Sequence, residues 1–563
     1  MISHRSPISG VAVRGGRYVA TAGYDNQVIL WDRETQRALS LANHDHLTNH
    51  LVFSPDERYL LTSSSDYTAR LWSVPDLRLI SVFAEHTDDV EMAAFHPHEE
   101  LVATASRDHT IGVFAFDGTV RARLRGHTAD VISVVWSADG SELVSSSDDG
   151  TVKRWSLGQA GLIEDIDLGG VETDTVVVTQ EGVIFAGNDA GEIIRVHAGG
   201  TSATPAHSAG IKRLVYDATQ QRLVSLSYDR TIKSWSVRGE LTEVTASGIP
   251  AVVWPRSCAF VDDDTLIFGT FGSSYATHRL STGEWDLGHV DPTFGLNAVS
   301  TMDDAELTVG DAGVVWRNGE PLATPGSLCN FLCRVGSTMV TGGQLGVLFD
   351  ATTGRELYQH HSPLNCCAEL VGADGTVYAV VGAYTGEGIV LVFHPDGTVE
   401  HRDTLRLHEN AVKGVAVSAG VIFAVCADRS ASWFDGATFQ ETGRVADAHD
   451  KIANGCDSLP GGRFASVGRD LVLRIWDGLT ARTVPTPHDH SIKCVSASAD
   501  GTLIATGGYN GMIAVHDVPG ERWHIVPRQT TSGISGLHYD EAGGRFVASS
   551  YDGNTYSVRC DEL

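Results

Sequence analysis

At 563 residues the chain exceeds one ordinary domain of about 100–200 residues, so two cores or a repeat array are expected. A formal charge of −29, from 41 Lys plus Arg against 70 Asp plus Glu, argues against a nucleic-acid partner because no basic run offsets it. No signal-peptide pattern follows Met1 and no apolar stretch of about 18 residues occurs, so no membrane partner and a cytoplasmic location are expected; the nine cysteines, with no CxxC pair, fit reduced thiols.

A strand pattern begins around Ile8 to Val13, and short Val/Ile-rich runs separated by Asp-Gly and Pro-Asp turns continue throughout, which reads as all-β. An aromatic then stands six residues after an aspartate at Asp25 to Trp31, Asp66 to Trp72, Asp108 to Phe114, Asp149 to Trp155, Asp229 to Trp235 and Asp470 to Trp476. A histidine precedes each aspartate: His44, His86, His127 and His207 by 22 residues, His4 and His449 by 21. The histidines, with His408 and His488, recur at steps of about 40 residues, a propeller period. The unit after His127 reads as strand (Val131 to Trp136), turn, strand (Leu143 to Ser147), turn at Asp149-Gly150, strand (Val152 to Trp155) and an outer strand.

Between His207 and His408 the signature erodes, leaving Gly288-His289, Asp311-Ala312-Gly313 with Trp316, and His361 as fragments. Degenerate units near residues 168, 247, 325 and 528 bring the count to fourteen, too many for one ring of four to eight blades. Two rings of seven follow, with a boundary between 287 and 288. So few residues flank the first and last strands that either the last blade has three strands or the rings exchange strands.

Gly126-His127, Trp136-Ser137, Ser147-Asp148-Asp149-Gly150, Trp155-Ser156 and the literal Trp31-Asp32 and Trp476-Asp477 resemble the WD40 repeat family. The resemblance implies an all-β chain of two tandem seven-bladed propellers, 1–287 and 288–563, built of four-stranded blades. It also implies buried tetrads in which His, Asp and Trp join a strand hydroxyl. The structural residues are then His44, Asp66 and Trp72; His86 and Asp108; His127, Asp149 and Trp155; His207, Asp229 and Trp235; and His449, Asp470 and Trp476.

In the family the residue before the tetrad Asp faces one end of the channel. Those positions are Tyr24, Ser65, Arg107, Asp148 and Tyr228, then Ala427, Arg469, Tyr509 and Tyr551. A second set lies five residues after each His: Ser9, Asn49, Glu91, Ile132, Lys212, Lys413 and Lys493. Tyr and Arg are enriched at interface hot spots. Partner contacts are therefore expected from Tyr24, Arg107, Lys212, Tyr228, Lys413, Arg469, Lys493, Tyr509 and Tyr551. Lys413 and Lys493 beside Arg469 suit an acidic peptide or small anion.

No GxxxxGK(S/T), strand-borne GxGxxG, HExxH or GxSxG pattern is present, and a recurring His/Asp pair points to scaffold rather than catalysis. Of the His-x-His pairs, His44/His46 and His488/His490 include tetrad positions and His96/His98 occupies a turn; His360-His361 has only Glu356 nearby, so no metal or cofactor is expected. The expected function is a non-catalytic scaffold or adaptor for protein or peptide partners. The rival is an enzyme or small-ligand binder in the second ring's channel, and the eroded blades from about 245 to 400 offer Asp262-Asp263-Asp264, Asp303-Asp304 and Glu387 as available carboxylates.

Overall fold

The computed structural model describes residues 2–158, 161–197 and 200–563, and divides into a first unit, Met1–Thr293, and a second, Phe294–Leu563. Among the described residues each unit holds seven antiparallel sheets with strands in sequential order. Blades 1–7 span 8–43, 48–83, 90–125, 131–167, 173–205, 211–248 and 253–286; blades 8–14 span 296–323, 329–359, 364–406, 412–445, 453–485, 492–525 and 534–559. Within each unit the first strand of every blade packs on the first strand of the next. Within the first unit Val253–Phe260 returns to Ile8–Arg14, and within the second Ile534–Asp540 returns to Leu296–Met302, so each unit is a closed seven-bladed ring.

Burial follows from position in the blade. Second strands such as Leu101–Ser106 are enclosed by a neighbour on both faces and are apolar or hydroxylated, whereas outer strands such as Arg37–Asn43 alternate exposed side chains with half-buried ones or, at Ala42, a buried one. Hydrogen-bonded relays secure the crossovers between blades. In blade 2 the Trp72 indole N–H donates to Thr62 Oγ1 at 2.9 Å, Thr62 Oγ1 lies 2.7 Å from His44 Nε2, and His44 Nδ1 lies 2.8 Å from Asp66. The same relay recurs in blades 1, 4, 6 and 12, through Thr21, Ser145, Ser225 and Ser466. Blade 3 keeps His86, Thr104 and Asp108 but has Phe114 in place of the indole.

Neither ring is closed by strands drawn from both of its ends. In the first, Val11 N donates to Ser257 Oγ at 3.0 Å and His4 N to Ser273 O at 3.1 Å. In the second, blade 14 has three strands, one of the two closures foreseen, and Thr555 Oγ1 donates to Glu306 at 2.7 Å across the seam. The first unit runs to Thr293 rather than 287, because Pro292 bridges to Gly272 and Thr293 Oγ1 donates to Phe271 O at 3.0 Å.

One backbone feature aims side chains at the mouth of each ring. In every blade but the seventh, the pairing of the inner strand skips its second residue, a β-bulge that turns this residue out of the pleat. The skipped residues are Ser9, Asn49, Glu91, Ile132, Asp174 and Lys212, then Asn297, Asn330, Asn365, Lys413, Asn454, Lys493 and Ser535. Beside each bulge, the residue after the second strand donates its N–H to the carbonyl just before the inner strand, as Arg107 does to Asp89 and Asp148 to Asp130. Each blade thus offers three adjoining positions at the mouth.

Candidate interaction face

Blades 3, 4 and 5 fill these positions largely with acids: Asp89 and Glu91, Asp130 and Asp148, then Glu172, Asp174 and Asp189. Three basic side chains are threaded among these seven carboxylates. Arg107 donates to Glu91 and to Asp130, each at 2.5 Å. Lys212 donates to Asp174 and to Asp189, the latter at 2.5 Å, and its ammonium sits 5.0 Å from the centre of the Tyr228 ring. Arg256, from blade 7, donates to Tyr24 Oη at 2.9 Å, lies 3.4 Å from Glu91 and covers the Trp254 ring. Tyr24 meets Trp254 edge-on at 5.1 Å, so blades 6, 7 and 1 close the circle with an aromatic arc.

Asp148 shows most clearly how acidic these surroundings are. Its Oδ1 is buried and accepts no hydrogen bond. Burial, with Glu172, Asp130 and Asp174 nearby, pushes its carboxyl well above the usual range despite Arg107. Burial likewise raises Asp189 to about 6 even with Lys212 beside it. Burial alone would lower Lys212, but Asp174 and Asp189 hold it well above its ordinary value.

Of the expected partner-binding residues, Tyr24, Arg107, Lys212 and Tyr228 therefore belong to one charged and aromatic network. Ser9 and Asn49 instead act as clasps between blades: Ser9 Oγ donates to Thr48 O, and Asn49 Nδ2 to Val90 O at 3.0 Å. The carbonyl in each case belongs to the first residue of the next inner strand. In the second unit Asn297, Asn330, Asn365 and Asn454 make the same bond to Cys329, Leu364, Val412 and Ile492 at 2.6–3.1 Å. Lys413 and Lys493 occupy bulges there, with Lys413 5.2 Å from the Tyr384 ring centre; Arg469 follows a second strand, and Tyr509 and Tyr551 stack at 6.3 Å.

Sequence reading missed most of the acids and Arg256. Asp89 and Asp130 stand three residues after His86 and His127, a column open to inspection, but blades 5 and 7 lack the histidine from which to count. His96, His98 and His46, which stand outside the relays, bond to nearby backbone. His96 and His98 lie 3.1 Å from the Gly140 and Ala138 carbonyls of the next blade, and His46 Nδ1 accepts from Leu47 N–H at 2.7 Å.

The WD domain, G-beta repeat model matches residues 1–32, 36–73, 77–114, 118–156, 201–236 and 481–517, and the match 36–73 joins the outer strand of blade 1 to three strands of blade 2. The chain is a WD-repeat protein. It is 25% identical over 269 residues to the transcriptional corepressor LEUNIG_HOMOLOG of Arabidopsis thaliana, covering 39% of this chain and 34% of that one. It is 27% identical over 235 residues to the target of rapamycin complex subunit wat1 of Schizosaccharomyces pombe, covering 39% and 74%. Transcription initiation factor TFIID subunit 5 of Caenorhabditis elegans is 28% identical over 188 residues, covering 32% and 29%. The chain thus spans about a third of the first and third relatives. Among the described residues no helix is long and apolar enough to cross a membrane.

Proposed function

We propose that the chain is a non-catalytic protein-interaction scaffold whose first unit holds a basic segment of a partner at the mouth ringed by Asp89, Asp130, Asp148 and Glu172. The observation that carries this is the buried Asp148 oxygen without a donor, in a carboxyl that burial and the nearby Glu172, Asp130 and Asp174 push well above the usual range. A guanidinium or ammonium from outside supplies the missing donor to Asp148, while Tyr24 and Tyr228, both part-exposed, offer ring edge to its aliphatic stem. A phosphate backbone would meet repulsion there. Similarity to subunits of larger complexes supports the same reading.

Labelled basic, neutral and acidic peptides, titrated against the full chain by fluorescence anisotropy, test the proposal. Basic peptides should bind, and more weakly as salt rises. Asp148→Asn should weaken that binding roughly tenfold or more, about 1.4 kcal/mol, while leaving the free protein as stable or more so, because an unbalanced charge is removed. Preference for acidic peptides, or basic-peptide binding unchanged in Asp148→Asn, overturns the reading.

A further inference from the structure

In a complete relay the histidine turns Nδ1 to an aspartate and Nε2 to a strand hydroxyl. At the start of blade 10 both partners are gone, since the position of the aspartate is Thr385 and that of the hydroxyl is Val381. His360, still buried, is held differently: its Nδ1 lies 3.2 Å from both the amide N and the carbonyl O of Ser362, so Nε2 points outward. There it meets Glu387, the first residue of the third strand, at 3.2 Å from Oε2. His361 directs its own Nε2 at the same oxygen from 3.9 Å, and the two imidazole centres are 4.1 Å apart.

We propose that His360, His361 and Glu387 bind a divalent transition-metal ion of the zinc class. Two neutral imidazole nitrogens and one carboxylate oxygen are the donor set such ions select. An ion bound at about 2.0–2.2 Å in tetrahedral geometry holds its ligand atoms roughly 3.3 Å apart. The three donor atoms here lie within 4.8 Å of one another, and the His360–Glu387 separation already matches.

The surroundings orient the donors. Thr385 Oγ1 donates to the Glu387 oxygen at 2.6 Å, the outer support a metal-bound carboxylate needs, and Ser362 fixes the His360 ring. The loop carrying both histidines rests on Gly346, whose φ is +71° and where a Cβ would stand 2.5 Å from the His360 carbonyl oxygen. The His361 side chain is 48% exposed, which leaves a coordination position open to water. A second cluster, His408, Cys426 and Asp428, lacks this openness: Ser430 already occupies His408 Nδ1 at 2.7 Å, and the Cys426 thiol donates to Asn410 O at 3.1 Å. For His360-His361 the sequence offered Glu356 as the neighbouring carboxylate. The blade instead supplies Glu387, from another strand.

The test uses the full chain stripped with chelator and titrated at pH 7.5 with Zn²⁺ by calorimetry and with Co²⁺ by visible absorption. Wild type should take up one more equivalent at micromolar metal than His361→Ala or Glu387→Gln, and only wild type should show the added Co²⁺ band and a Zn²⁺-dependent rise in melting temperature. Because His361 is half exposed, His361→Ala keeps the fold and carries the test alone if Glu387→Gln unfolds. Equal uptake by wild type and His361→Ala, with the same Co²⁺ spectrum, overturns the site.

Discussion

The relay in blades 2 and 3 differs by one donor, and that difference sets up a measurement inside one ring. Thr62 accepts from the Trp72 indole at 2.9 Å and lies 2.7 Å from His44 Nε2, whereas Thr104 lies 2.7 Å from His86 Nε2 but faces Phe114, which has no N–H. With Asp66 and Asp108 holding a proton on each Nδ1, each Nε2 accepts the threonine hydroxyl. Valine keeps the shape and removes the hydroxyl, so Thr104→Val strands one buried acceptor and Thr62→Val strands an acceptor and a donor. A buried polar group left unpaired costs about 1–3 kcal/mol. Thr104→Val should therefore lose about 1–3 kcal/mol and Thr62→Val about 2–6, with a gap of about 1–3 from the indole alone. Urea unfolding of the two variants, followed by tryptophan fluorescence and circular dichroism, reads the gap directly because both sites lie in the first unit. Equal losses, or a larger loss for Thr104→Val, would refute the shared-hydroxyl relay as the structural bond.

Burial lowers His408 and His488 to about 4, below the unfolded value near 6.5. The unfolded chain then takes up protons that the native state refuses, so stability is fully present above pH 6.5 and falls toward pH 4, by up to about 3 kcal/mol per group; a urea midpoint that stays flat from pH 6.5 to 4.5 contradicts this. Gly140 has φ +76° and a Cβ there would stand 2.4 Å from the His96 ring, whereas Gly182 has φ +79° and open space. Gly140→Ala should thus cost roughly 1–2 kcal/mol more than Gly182→Ala in thermal unfolding, and equal costs would show that His96 yields freely. Asn365→Ala removes the 2.6 Å bond to Val412 O and should cost about 1 kcal/mol in the second unit's unfolding, a loss that an unchanged midpoint would exclude.

The blades legible in the sequence are those whose polar relay fixes residue types at fixed intervals. His, Asp, Trp and a hydroxyl must all be present for each buried polar group to find its partner, so blades 1, 2, 4, 6 and 12 announce themselves. Blades 5, 7, 8 and 9 keep the same strand order without the relay, on apolar packing that many residues satisfy, helped in blades 8 and 9 by an asparagine clasp, and only spacing located them. The mouth was half legible for a related reason. The columns that hold Tyr24, Arg107, Lys212 and Tyr228 can be counted from a histidine, but Asp174, Asp189 and Arg256 lie in blades without one. Glu387 was legible only as a lone carboxylate, not as the partner of His360 and His361, because those histidines stand 27 and 26 residues earlier and the meeting exists only once the blade has folded.

The bulge column suggests a physical reason for assigning recognition to the first unit. An asparagine there reaches the first carbonyl of the next inner strand and ties two blades together, which occupies its amide and removes it from any partner. A carboxylate at the same position has no proton to give that carbonyl, and Lys212 directs its ammonium to Asp174 and Asp189 instead. In the second unit four of the seven bulges carry clasping asparagines, at 297, 330, 365 and 454, across the very blades where the His-Asp-Trp relay is mostly absent. In the first unit, where relays already secure blades 3 and 6, the bulges hold Glu91 and Lys212, which pair with Arg107, Asp174 and Asp189 rather than with the neighbouring backbone. The two devices are not exclusive, since Asn49 and Asn454 clasp beside complete relays in blades 2 and 12, but the bulges of blades 3, 5 and 6, which make no clasp, are the ones that carry charge to the mouth of the first unit.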